Sequence, residues 1–71
     1  MTDYVVLVER TEDRGYGAWA PDLPGCVALG STYDEAIAEM REAMRFHLEG
    51  LREDNIPAPK PTTIGSTTIA A

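Results

Sequence analysis

The chain carries one thiol, Cys26, and one imidazole, His47. A Cys/His nucleophilic pair is the first chemistry these residue types permit, with the imidazole taking the thiol proton before the thiolate attacks. Their settings argue against it. Cys26 opens a short apolar run, Cys26-Val27-Ala28-Leu29, which is the environment of an inert buried thiol. His47 falls at the edge of the apolar face of a helix, where a structural histidine is the common outcome, and no loop offers itself as an oxyanion hole. Metal binding fares little better, because one His, one Cys and scattered carboxylates lack zinc or EF-hand spacing. Asp3, Glu9 and Asp22 are possible strand-end acids for a two-metal site, yet nothing in their spacing selects them. Gly15-Tyr16-Gly17 reads as part of a hairpin with no helix behind it, so it is not a phosphate cradle. The expectation is a protein that is not an enzyme, with no catalytic residue, metal or cofactor.

Charge narrows the classes of partner. Twelve Asp and Glu against six Lys and Arg give a formal charge of −6 and a pI near 4.5. Such a chain repels phosphate backbones, so direct nucleic-acid binding is not expected, and its surface suits solvent, a basic protein partner or metal ions. The 71 residues make one small domain, expected to span 1–71. A domain this short buries only about 60% of its unfolded surface, so it is expected to lean on association. The apolar fraction of 44% and charged fraction of 25% are those of a globular domain rather than a disordered tail. A single cysteine makes no internal disulfide, which fits a cytoplasmic location. No apolar run approaches the ~18 residues of a membrane span, and no signal-peptide pattern opens the chain.

The elements that must position any site follow from periodicity. Tyr4 to Val8 is β-branched and aromatic on both faces, which predicts a strand over about 3–11 in an interior position. Thr11-Glu12-Asp13-Arg14-Gly15 is a polar loop, and a second strand returns over about 16–21. Pro21, Asp22, Leu23, Pro24 and Gly25 form a structural turn, with Pro24-Gly25 as the central pair of a type II turn. A third strand covers about 26–30. Thr32 as N-cap and Glu35 three residues on make a capping box, and apolar positions from Tyr33 to Leu51 recur at helical spacing. The helix is expected over 33–54, with Asn55 as a left-handed cap. Pro57 to Pro61 is a stiff linker, and the Thr-rich stretch 62–70 is a possible fourth strand. The expected core is Val6, Val8, Trp19, Val27, Ile37, Met40, Met44, Leu48 and Leu51.

The helix also has a polar face. Glu35, Glu39, Glu42, Glu49 and Glu53 gather within roughly 80° of one another, opposite the apolar positions, at about 100° per residue. A solvated face explains most of this pattern. Phe46 does not fit that explanation, because it points into the acidic stripe. Burial under the C-terminal tail or a second subunit is the expected resolution, and an exposed contact residue is the alternative.

Taken together, these segments resemble a known family. Gly15-Tyr-Gly-Ala-Trp-Ala-Pro-Asp-Leu-Pro-Gly-Cys26, Gly30-Ser-Thr-Tyr-Asp-Glu-Ala36, and Phe46-His-Leu-Glu-Gly-Leu-Arg-Glu-Asp54 with the following Pro-x-Pro closely resemble HicB-like antitoxins. The resemblance runs from about Tyr4 to Pro61. It implies an α+β domain of order β-β-β-α-β, with a three- to four-stranded antiparallel sheet, one helix on one face and a partial RNase H-like topology. It further implies homo-oligomers, dimers or tetramers. The implied role is to mask a HicA-like toxin, a small basic mRNA interferase with a histidine at its catalytic centre, as the antitoxin of a type II toxin–antitoxin pair. Many family members carry a C-terminal DNA-binding module, which the stretch after the linker is too short to form, so the expectation is a single-domain member without autorepression.

An acidic domain facing a cationic RNA-binding protein gains electrostatic steering. Glu12, Asp13 and Asp22 on the loops, and Phe46 with Glu42 and Glu49 on the helix, are the candidate partner contacts. Two other classes stand beside this reading. One is an orphan oligomerising module with no cognate toxin. The other, a metal-dependent nuclease, rests on fold analogy alone.

Overall fold

The structure is a computed structural model and describes residues 2–71. Its strands are β1 (Leu7–Arg10), β2 (Tyr16–Trp19) and β3 (Val27–Gly30), followed by one long helix, α1 (Tyr33–Glu53). All three strands pair antiparallel in chain order, with Leu7 opposite Trp19 and Trp19 opposite Val27. The α+β class and the helix on one face are as expected. The strands are shorter than expected, and two expectations about the sheet fail. β1 lies at an edge rather than in the interior. The stretch 62–70 forms no strand within this chain.

Local chemistry fixes each connection. In the β1–β2 loop the Asp13 carboxylate accepts from the Thr11 hydroxyl and from the Gly15 N–H, while Arg14 takes a left-handed φ of 67°. After β2, the Cys26 N–H donates to the Leu23 carbonyl at 3.1 Å, and Gly25 adopts φ 82°. That is the type II turn expected of Pro24-Gly25, since only glycine takes this φ without strain. Thr32 caps the helix by accepting from the Glu35 N–H at 3.0 Å, and Glu35 in turn accepts from the Ser31 N–H at 3.0 Å. The return bond therefore reaches one residue further back than in the standard capping box. At the far end the Ile56 N–H donates to the Leu51 carbonyl and the Asn55 N–H to the Arg52 carbonyl, with Asn55 at φ 58°. This is a Schellman closure with Asn in the glycine position.

The core lies between the sheet and α1, and it is built from smaller residues than expected. Ala18, Ala20, Leu23, Cys26, Ala36 and Met40 are buried, with Val6, Val8, Ala28, Met44 and Leu48 packed against them. Ile37 and Leu51 are half-buried. Trp19 and Val27 do not belong to this core. Strand alternation is the reason: Ala18 and Ala20 face the helix, so Trp19 and its partners Leu7 and Val27 point away from it. Trp19 is 39% exposed and Val27 64%. Small residues on β2 let the helix approach closely, and at Gly30 no side chain fits at all. A Cβ there would stand 2.4 Å from the Ala36 nitrogen.

Candidate functional site

The structure separates the two reactive side chains by environment. Cys26 is buried at the entry to β3, and burial pushes its thiol above the usual range, which keeps it protonated. His47 is half-buried on the fourth turn of α1. Among the described residues no group of three or more His, Cys, Asp or Glu side chains is arranged to hold a metal. Among them also, no helix is long and apolar enough to cross a membrane.

The candidate contact residues fall into two kinds. Asp13 and Asp22 are occupied with internal bonds. The Thr11 hydroxyl and Gly15 N–H hold Asp13 below the usual carboxylate range. Asp22 accepts from the Thr63 N–H at 3.0 Å, the Thr62 hydroxyl at 3.0 Å and the Thr62 N–H at 3.2 Å, which lower its pKa as well. It is a clamp on the C-terminal tail, 40 residues away along the chain. Glu12 is exposed at the loop tip.

The remaining candidates share one face of α1. Glu35, Glu39, Glu42, Phe46, Glu49 and Glu53 are all exposed and step by four and three residues. Over this span, at about 1.5 Å per residue, they form a line roughly 27 Å long. Phe46 stands at its centre and is 79% exposed. Among the described residues neither the tail nor any other segment covers it, so the burial expected under the tail does not occur within this chain. Glu42 pairs with Arg45 at 2.8 Å, one turn away and open to solvent. A single large ring in a line of carboxylates is the arrangement of an anchor within a charged rim.

A second exposed surface went unread in the sequence. On the sheet face away from α1, Leu7, Trp19 and Val27 form one cross-strand row, and Glu9, Gly17 and Leu29 form the next. Gly17 floors a shallow groove of about 300 Å³ between Trp19 and Leu29. The signal was available: alanines at alternate positions of β2 mark the face that must accommodate a helix, and that sends the large residues outward.

The comparisons with known proteins bear on this geometry. A family described as "HicB_like antitoxin of bacterial toxin-antitoxin system" matches residues 4–70. The chain belongs to the HicB-like antitoxin family. Its structure is similar to that of the N-terminal domain of Burkholderia pseudomallei antitoxin HicB, with a TM-score of 0.65 and 32% identity over 89% of this chain and 69% of that one. It is 34% identical to Antitoxin HicB 1 of Photorhabdus laumondii, covering 87% of this chain and 40% of that protein. A UPF0150 protein of Synechocystis is 40% identical over 87% of this chain and 78% of its own length. An uncharacterized 14.9 kDa protein of Haemophilus phage HP1 is 41% identical, and the chain spans 45% of it. The chain thus matches less than half of two of these longer relatives.

Proposed function

We propose that this chain is a cytoplasmic HicB-like antitoxin that binds a small basic mRNA interferase of the HicA kind and occludes its RNA-binding surface, without catalysing a reaction itself. The observation that carries the proposal is the face of α1 on which Phe46 stands exposed at the centre of five glutamates. Charge of that sign steers a cationic partner, and the ring supplies the apolar anchor that charge alone does not. The loop acids rank lower, because the Asp13 and Asp22 carboxylates already accept two and three internal hydrogen bonds.

The test is calorimetric titration of the chain against a purified HicA-like toxin, with protection of an mRNA substrate as second readout. The expected result is a 1:1 subunit ratio, with affinity lost by at least ~10-fold in Phe46→Ala and again in Glu42→Lys/Glu49→Lys. Unchanged affinity in both variants would remove α1 as the docking face; no binding to any such toxin would remove the antitoxin reading. A second reading, an oligomerising module without a toxin, is favoured by the apolar Trp19/Val27/Leu29 face, and self-association with no toxin binding is the outcome that would select it.

A further inference from the structure

Gly17 sits in the middle strand of the sheet, where glycine weakens a strand, and the fold does not require it there. Its φ lies outside the left-handed region. A Cβ at this position would meet Leu29 Cδ2 at 3.6 Å, Thr11 Cγ2 at 3.7 Å and Glu9 Cγ at 3.9 Å, all ordinary side-chain contacts. Gly30 differs, because a Cβ there collides with backbone. What glycine at position 17 does provide is space, in the groove on the sheet face away from α1.

This groove has the size and walls of a slot for one long side chain. Its volume of about 300 Å³ lies at the lower end of the range for ligand pockets. Gly17 is the floor, flanked across the sheet by Glu9 on β1 and Leu29 on β3, with Trp19 two residues on along β2. Leu29 is 71% exposed. The one charged group of the lining is Glu9, which is exposed and has no ion-pair partner among the described residues.

An apolar trough with an indole beside it and a free carboxylate on its rim is complementary to arginine. The aliphatic stem can lie on Gly17 against Leu29, while the planar guanidinium meets the Trp19 ring and the Glu9 carboxylate. Lysine matches the charge but has no plane to stack. The neighbouring row of Leu7, Trp19 and Val27 adds an apolar step one strand repeat away. On an extended segment that step falls to the residue two positions from the arginine.

We propose that the sheet face opposite α1 is a second docking surface, for an extended segment of a basic protein. The segment lays an arginine across Gly17 between Trp19, Leu29 and Glu9, and an aliphatic residue two positions away over Leu7 and Val27. Net charge of −6 favours such a partner. The surface lies across the sheet from the helix that carries Phe46 and does not depend on the toxin reading.

The single tryptophan of the chain belongs to the slot, so its emission reads occupancy directly. The test is titration of the full chain with acetyl-Arg-Ser-Leu-amide, followed by Trp19 fluorescence and by amide shifts in NMR spectra. The expected result is saturable binding with a Kd of about 1 mM, the strength of one anchored side chain. Shifts should centre on Glu9, Gly17, Trp19, Val27 and Leu29. Citrulline in place of arginine keeps the shape and removes the charge, and should weaken binding at least ~10-fold, as should Glu9→Gln. Gly17→Ala should keep the thermal midpoint of the wild type yet bind at least ~5-fold more weakly, because the methyl raises the floor. Phe46→Ala should bind the peptide as the wild type does. No saturable response, equal binding of the citrulline peptide, a lowered midpoint in Gly17→Ala, or loss of the peptide in Phe46→Ala would each overturn the proposal. Emission that changes on dilution of the chain alone, with no response to peptide, would give the face to a second copy and overturn it as well.

Discussion

Burial of Cys26 leaves its thiol protonated at neutral pH, where a nucleophile would need the thiolate. Iodoacetamide should therefore label the folded chain far more slowly than the chain in denaturant, and equal labelling rates would contradict the closed core around β3. Arg14 is the converse case, a side chain in a conformation that suits glycine. Its φ of 67° is set by the Thr11–Gly15 loop, and a left-handed non-glycine residue costs about 1 kcal/mol. Arg14→Gly should raise stability by roughly that amount, less the entropy glycine loses on folding, as read from the denaturation midpoint.

At the scale of elements, two contacts decide how pieces meet. The N-terminus of α1 presses on Gly30 so closely that an added methyl would collide with the Ala36 backbone rather than with a mobile side chain. Gly30→Ala should destabilise the domain by about 3 kcal/mol, near the upper end for overpacking, and thermal unfolding would read it directly. The second contact joins the turn after β2 to the tail. Asp22 has its pKa lowered by the Thr63 and Thr62 donors, so its contribution is present above the unfolded value near 3.8 and is lost as pH falls through the lower folded value. The Thr62 and Thr63 amides should be protected from exchange at pH 7 and released in acid. Asp22→Ala should release them at pH 7, and protection that survives this change would show that Asp22 is not the clamp.

For the whole molecule, the distribution of charge and apolar surface sets the expected behaviour. Net charge of −6 and an open glutamate face would make the proposed toxin binding an electrostatically steered encounter, so the association rate should fall steeply between low and physiological salt while dissociation changes little. Stopped-flow measurement at two ionic strengths checks it, and a salt-independent on-rate would argue for docking on the apolar sheet face instead. Phe46→Ala separates binding from folding. The ring is exposed, so stability should stay within about 0.5 kcal/mol of wild type while affinity falls.

Much of the fold was legible because it rests on local rules. The Thr32 cap, the Asn55 closure, the Pro24-Gly25 turn and the order of three strands and a helix each follow from residues within a few positions of one another. The family resemblance was legible for the same reason, since it lies in those turns and caps. The glutamate face around Phe46 could also be drawn from helical periodicity, but whether anything covered the ring could not. Tertiary structure decided what depends on distant partners. It sent Trp19 and Val27 outward because Ala18 and Ala20 had to admit the helix, and it turned Asp13 and Asp22 from surface acids into internal acceptors. It also left β1 at an edge although its sequence reads as interior. Periodicity specifies which faces of a strand are apolar, but the number of neighbours along its edges is set by whichever segment, of this chain or another, comes to lie beside it.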